Sequence, residues 1–554
     1  MRKGVLIGAG LLAALWPGVG AAAASSDLVL TSVKTNRVSL AGRPFYVTVT
    51  VTDRASAARK ATVTITSAGT PLAVRKVTFR PRRRTSVKLP VTLPTPGRVP
   101  LTVSVTGTKP RRVTVEVAEF RVRTGAQIVT GLAGYGGQFN HHVYAALSRS
   151  VGVTDENVVD MEQKMRALHP QFSRVFFTPQ AFSDPDKMQS FVRTMLFAQG
   201  TGTTINVTWQ GGTLSVASGT VQKFASVLID LVQNRGVTNL RWLTLQNEPN
   251  RTRITMQQYE AQYRELDPYI QSIRGQVRYM GGDLVRGPDV GAPNQDVWFQ
   301  YLAAHMSDLL DAYSIHVFWD YWDTQKLVDR LTEVRRIVDA LPESGRKPIY
   351  VAEYGVRGQR TFNGAPQVDP GVWEDGTPIT QTNVSAFQQA WFDVLSADLG
   401  YLGTSKWDSY YGKYDSGTQA YYIIGAPQSG WPLYPLYNFM QLLTTTVKRD
   451  WSVVAVDSVP GTSRLLAGYL GKKGQLTVVG LDTAGAQLNA VSPTAVSYSI
   501  AGLPPSKQAN LLIWNQSGDG LVAPRQAVTV DAVGVATITV PQHAVFVLTT
   551  IRLG

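Results

Sequence analysis

The chain has 554 residues, 44% of them hydrophobic, and 54 Lys+Arg against 39 Asp+Glu give it a formal charge of +15. That length and apolar content support two to four domains with real cores and exclude a low-complexity chain. There is no cysteine, which excludes disulfides, a lipidated-cysteine anchor, thiolate metal sites and a thiol nucleophile.

Residues 1–24 read as an export signal. Arg2 and Lys3 form its basic start, Val5 to Val19 its apolar region, and Ala21 to Ala24 an Ala-x-Ala cleavage site. The apolar run is short and interrupted by Pro17, so it predicts cleavage rather than a membrane span, and no later stretch is apolar enough to cross a bilayer. The expected address is secreted or cell-wall associated.

Residues 25–120 alternate in short strands. Phe45, Val47, Val49 and Val51 share one side, and Leu101, Val103 and Val105 repeat the period of two. Six or seven strands in so few residues predict an immunoglobulin-like β-sandwich. Between Ser25 and Glu119 stand 17 Lys+Arg and 4 Asp+Glu, whereas Phe120 to Gly554 carries 35 of each sign. The positive charge therefore belongs to the N-terminal domain, where it suits contact with an anionic cell wall or acidic glycan. Arg82-Arg83-Arg84 and Arg111-Arg112 are expected on solvated edges. No aromatic interleaving or nucleic-acid motif accompanies the charge, so nucleic acid is not an expected partner.

Residues 121–449 switch to strand and helix in alternation. Predicted strands are 128–135, 172–178, 203–209, 240–246, 278–283, 310–316, 349–353 and 404–407. Helical stripes lie between them, such as Val221, Phe224, Ala225, Leu228 and Leu231, or Leu327, Leu331, Val334 and Val338. Eight such units predict a (β/α)8 barrel whose site lies at the C-terminal strand ends. A long loop, Val356 to Gln381, should shape that face. Residues 450–554 return to period two over seven strands, with a turn at Ser517-Gly518-Asp519-Gly520, and predict a C-terminal β-sandwich.

Two barrel strands end on a glutamate. Leu240 to Leu245 is an apolar run that breaks into Gln246-Asn247-Glu248-Pro249-Asn250, and Ile349-Tyr350-Val351-Ala352 runs into Glu353-Tyr354-Gly355. Asn247-Glu248-Pro249 also reads as a helix start with Asn247 as cap. The pair resembles the catalytic signatures of glycoside hydrolase clan A, the retaining (β/α)8 glycosidases, over roughly Ile128 to Arg449, with a layout similar to families 39, 30 and 5. The resemblance implies Glu248 as acid/base and Glu353 as nucleophile. It further implies Arg174 as the arginine that keeps the nucleophile ionised, Asn247 as a contact to the sugar 2-hydroxyl, and Trp407 as the aromatic floor. Cleavage with retention requires two carboxyls about 5–5.5 Å apart across the bond, which side chains ending opposite strands of one barrel can supply.

Other candidates follow from position. His316 ends the sixth strand and could orient the nucleophile or contact sugar. Trp209, Trp319 and Trp322 offer stacking faces, and Tyr354 adjoins Glu353 as a binding or supporting residue. Asp283, Asp320 and Asp408 are candidates for hydroxyl contacts, and His141 or His142 for touching substrate from the first loop. No histidine shows metal-ligand spacing, so neither metal nor cofactor is expected. The sequence thus predicts a secreted retaining glycosidase acting on a polysaccharide or oligosaccharide. Its alternatives are an exo-acting xylosidase- or arabinosidase-type enzyme and a catalytically inactive glycan-binding wall protein.

Overall fold

The computed structural model describes residues 27–553 except 253, 292–293, 414–419, 490–491, 493 and 516–524. The export signal and the Ser517–Gly520 turn lie outside the described residues. The chain forms two compact units, divided between Ala118 and Glu119.

In the first unit eight strands make two sheets. Three antiparallel strands (Leu28–Lys34, Phe45–Asp53, Arg84–Val91) form one, and five (Val38–Leu40, Arg59–Ser67, Thr70–Phe79, Gly97–Val105, Arg111–Ala118) the other. The expected period holds: Val47, Val49 and Val51, Val63 and Ile65, and Leu101, Val103 and Val105 are all buried. Arg82, Arg83, Arg84, Arg111 and Arg112 are exposed, and Arg84 opens an edge strand of the smaller sheet, where charge opposes pairing with another chain.

The second unit is built on eight parallel strands: Gly134–Gly137, Phe172–Phe177, Thr204–Trp209, Leu240–Leu245, Arg278–Leu284, Leu310–Asp320, Ile349–Arg357 and Gly403–Lys406. Strand eight pairs with strand one, and strand one reaches strand two through Gln171 N–H to Tyr135 O (2.8 Å) and Phe139 N–H to Arg174 O (3.0 Å), which closes the barrel. Glycine makes that closure possible. A Cβ on Gly136 would stand 2.2 Å from Phe172 O, and one on Gly134 2.0 Å from the Gln171 amide. Amphipathic helices cover the outside, their apolar stripes buried as the sequence predicts. Val221, Phe224, Leu228 and Leu231 face inward on one, and Leu327, Leu331, Val334 and Val338 on another. At its base the barrel is plugged by Phe172, Trp242, Met280 and Tyr350. Polar side chains replace them higher up, beginning with Asn206 and Thr244.

Two expectations about boundaries change. The strand predicted at 128–135 is really two pieces: Phe120–Val129 leaves the barrel, and Gly134–Gly137 alone enters it. Phe120–Val129 runs antiparallel to Ser452–Ser458 and touches Ala495–Ala501. All seven strands predicted after residue 464 are present, but they do not make a separate sandwich. With Ser452–Ser458 and Phe120–Val129 they form one nine-stranded sheet. It curls around a core that includes Phe120, Val454, Tyr498, Ile538 and Phe546. Its other face joins the barrel: Tyr469 and Tyr135 share a hydrogen bond of 2.6 Å, and Trp514 Nε1 donates to Pro435 O. A strand from before the barrel thus completes a sheet made after it, which is why the barrel and the C-terminal domain expected to part at 449/450 form one unit, Glu119–Gly554, while the division expected at 120/121 stands at 118/119. No helix among the described residues is long and apolar enough to cross a membrane.

Candidate active site

Glu353 owes its direction to a bulge. Strand seven pairs Val351 with Ile315 and then Glu353 with His316, so Ala352 is an extra residue without a counterpart. One added residue reverses side-chain parity, and Tyr350 and Glu353, three apart, both turn into the barrel. Glu248 is set differently. After strand four Gln246 has φ 109° and Glu248 φ 46°, backbone settings that non-glycine residues hold only where the surroundings enforce them. Here Asn250 enforces them: its amide donates to Val285 O (2.8 Å) and accepts from Val285 N–H (3.2 Å), tying the loop to the end of strand five. The helix does not start at Asn247. It starts at Met256, with Thr255 and Gln258 forming the capping box, and Asn247 is left free to face the barrel.

Arg174 holds the site together from beneath. It is fully buried and its Nη2 donates to Glu353 Oε2. Nη1 donates to Asn247 Oδ1 (3.1 Å) and Asp283 Oδ2 (3.3 Å), and Nε to Gln138 Oε1 (2.9 Å). His316 links the glutamates: Nδ1 lies 3.1 Å from Glu248 Oε1 and 3.8 Å from Glu353 Oε2. Its Nε2 lies 2.8 Å from Arg174 Nη1. Burial lowers the His316 pKa, but Glu353, Asp283 and Glu248 outweigh it and raise it to about 9, so the ring is protonated and its Nδ1–H faces Glu248. One oxygen of each glutamate and a ring nitrogen of His316 all lie within 4.8 Å of one another.

Electrostatics follow from these contacts. Burial pushes the Glu248 carboxyl up, but the hydrogen bond and charge of His316, joined by Arg251 Nη1 at 2.8 Å, outweigh it and bring it down to about 2. Asp283 is likewise raised by burial and carried below the usual carboxylate range by His316 and Arg174. Burial lowers the Lys406 ammonium to about 7 against the pull of Asp408 and Glu353. Glu248, His316 and Glu353 are the one group of metal-capable donors among the described residues. Arg174 already supplies a cation in bonding contact with Glu353 and His316.

The glutamates open onto a cleft of about 550 Å³. Asn247, His316 and Trp407 line it, and Phe176, Phe318 and Tyr421 join Trp407 in an aromatic wall. Residues of the long loop after strand seven, Arg360 and Asp369, line it too.

Neither a protein-family model nor a curated protein matches the chain. Solved structures do. A glycoside hydrolase family 30 subfamily 8 xylanase from Clostridium acetobutylicum aligns with TM-score 0.53 at 12% identity, over 78% of this chain and 99% of its own. An endo-β1,6-glucanase aligns at 0.54 and 9%, over 89% and 100%. A family 51 α-L-arabinofuranosidase from Bifidobacterium longum aligns at 0.52 and 10%, over 78% and 99%. The fold is that of the clan A glycoside hydrolases.

Within this barrel several predicted platforms prove to be core. Trp209 is fully buried against Phe177, Phe182 and Phe224 and donates to Gly212 O. Trp319 is fully buried, stacks on Phe392 and donates to Gln388 Oε1 (2.9 Å). Tyr354 points away from the cleft and donates to Asp393 Oδ2 (3.1 Å), fastening strand seven to the helix Asn383–Asp398. Strand parity explains all three. Asn206 and Thr208, or His316 and Phe318, share the inner side, so the neighbouring Trp209 and Trp319 must face the helices, as Tyr354 does beside the inward Glu353. Counting by two from the polar residues would have found Phe176 and Phe318. Asp283 lies beneath the cleft rather than on its wall, Asp320 binds Lys326 (2.8 Å), Trp322 is half exposed outside it, and His141, His142 and Asp408 do not line it.

Proposed function

We propose that this chain is a glycoside hydrolase that cleaves O-glycosidic bonds of a polysaccharide or oligosaccharide with retention of configuration. The observation that carries this reading is the approach of Glu248 and Glu353 oxygens to within 4.8 Å at the floor of a cleft walled by aromatic rings. Retaining enzymes separate their carboxyls by about 5–5.5 Å, whereas inverting ones need roughly 6.5–9.5 Å to seat a water between. The solved structures of like fold include a xylanase, a β1,6-glucanase and an arabinofuranosidase, which agrees with glycan as substrate.

In this mechanism the Glu353 carboxylate attacks the anomeric carbon while a proton passes from Glu248 to the departing oxygen. The glycosyl–Glu353 ester is then hydrolysed by water that yields its proton to Glu248. Arg174, bonded to Glu353, orients the carboxylate for attack and receives it again as leaving group. The resting site favours ionised Glu248, so the proton must be supplied as substrate enters. Protonated His316, its Nδ1–H 3.1 Å away, delivers it and is left neutral, and displacement of Arg251 by the sugar removes the competing donor. Asn247, held by Arg174, is placed to meet the 2-hydroxyl.

Glu248→Ala is expected to lower kcat on a natural glycan about 10²- to 10⁴-fold, the usual worth of general acid–base catalysis. It should spare the first step on aryl glycosides with activated leaving groups, which need no proton. Equal losses on both substrate types would remove Glu248 from the acid role. Glycan-panel digestion with product analysis would identify the sugar. Binding without hydrolysis across the panel would instead favour an inactive glycan-binding protein.

We also propose that the protein is secreted and that the first unit, of immunoglobulin-like kind, holds it on an anionic wall or acidic glycan. Its exposed arginines support this reading. Retention on cell-wall preparations should then weaken as salt rises, and protein lacking residues 27–118 should wash off. Equal retention after that deletion would end the idea.

A further inference from the structure

The cleft carries more positive charge than its glutamates require. Six Lys and Arg side chains line it, against three Asp besides Glu248 and Glu353. Four of the six have carboxylate partners: Arg251 has Glu248, Arg286 has Asp289, Lys326 has Asp320, and Arg360 has Asp369. Arg330 and Arg357 form no carboxylate ion pair within 4.0 Å among the described residues.

Arg330 is the more telling. It is only 4% exposed, and its Nη2 donates to Leu284 O (2.8 Å) at the end of strand five, but Nε and Nη1 have no hydrogen-bond partner. A buried guanidinium with two nitrogens unanswered is unfavourable until something acidic meets it. Burial already lowers its pKa to about 10. Arg357, at the end of strand seven, is half-buried over the Phe318 ring (4.9 Å), and its Nε also lacks a partner. A planar fork of N–H donors suits a carboxylate or sulfate oxygen pair better than it suits a neutral hydroxyl.

We infer that the cleft takes an anionic glycan, one carrying a carboxylate or a sulfate ester that Arg330 binds. The inference rests on the hydrolase reading and names its substrate class. Arg330 comes from the helix Gln325–Asp339, after strand six, and Arg286 and Val285 beside it in the cleft wall follow strand five. The charged sugar therefore lies on the side of strands five and six. Arg357 guards the strand-seven side. The bond from Arg330 to Leu284 O could by itself be a structural strut, and the experiment separates the two roles.

Full-length protein is titrated with glucuronate, glucose 6-sulfate and glucose, followed by ligand-observed NMR. At least one of the two anionic sugars should bind tenfold or more tightly than glucose, and that preference should shrink as salt rises. Arg330→Gln should abolish the preference while leaving weak glucose binding in place. If Arg330→Gln does not fold, Arg357→Gln is expected to reduce the same preference at least threefold. Tighter glucuronate assigns the group as carboxylate, and tighter glucose 6-sulfate as sulfate ester. Equal binding of all three sugars, or a preference that survives in the variants, overturns the inference. Charge preference without hydrolysis of any glycan would leave it standing and sink the hydrolase reading. Hydrolysis of neutral glycans without charge preference would do the reverse.

Discussion

Glu353→Ala is expected to lower glycan turnover by on the order of 10⁵-fold or more, the scale on which a covalent nucleophile matters. Azide should restore cleavage of an activated aryl glycoside, because removing the side chain opens space for a small anion where the carboxylate stood. The product should be the glycosyl azide of inverted configuration, since a single displacement replaces two. The position of Glu353 makes this a sharp expectation. Its oxygen is bonded to Arg174 and lies 3.8 Å from His316 Nδ1, so no other carboxylate stands in its place. Asp283, the next acid, is fully buried below the cleft and already shared by Arg174, His316 and Ser314. Wild-type turnover in this variant would mean that the nucleophile is elsewhere.

The second large effect is expected from Arg174→Met. One guanidinium there meets Glu353, Asp283, Asn247, His316 and Gln138. Removing one member of a buried ion pair leaves the other charge uncompensated, at a cost of about 3–5 kcal/mol. Methionine fills similar volume, so the loss is mainly electrostatic. The unfolding midpoint in denaturant should fall accordingly. Surviving folded protein should lose turnover through kcat, because Glu353 and Asn247 would both lose the donor that positions them. Arg174→Lys should recover part of the stability and little of the turnover, since an ammonium cannot span all five partners. A variant as stable and as active as wild type would show that Arg174 is dispensable to the site.

Much of this was legible from residues. Barrel strands two to eight and seven C-terminal strands announce themselves as apolar runs or alternations of ordinary length, and both catalytic candidates sit where those runs end. Phe120–Val129 was not legible as a sheet strand of the C-terminal half, because its main partner, Ser452–Ser458, lies over 300 residues away and leaves no local trace. The aromatics misled for another reason: Trp209 and Trp319 stand at the right strand ends but on the outer side, and only parity against Asn206, Arg174 and His316 tells them from Phe176 and Phe318. The bulge at Ala352 breaks that same parity for Glu353, so counting alone from Tyr350 would have turned the nucleophile outward. Arg330 did leave a signal. It lies three residues after Leu327 and four before Val334, on the apolar stripe of its helix, where a charge is unexpected unless something uses it.

The most direct measurement is ¹H NMR of the anomeric proton during the first minutes of hydrolysis, before the freed sugar mutarotates. The two carboxylates as placed here predict that the first product keeps the configuration of the bond that was cut. An initial product of opposite configuration would contradict a double displacement through Glu353.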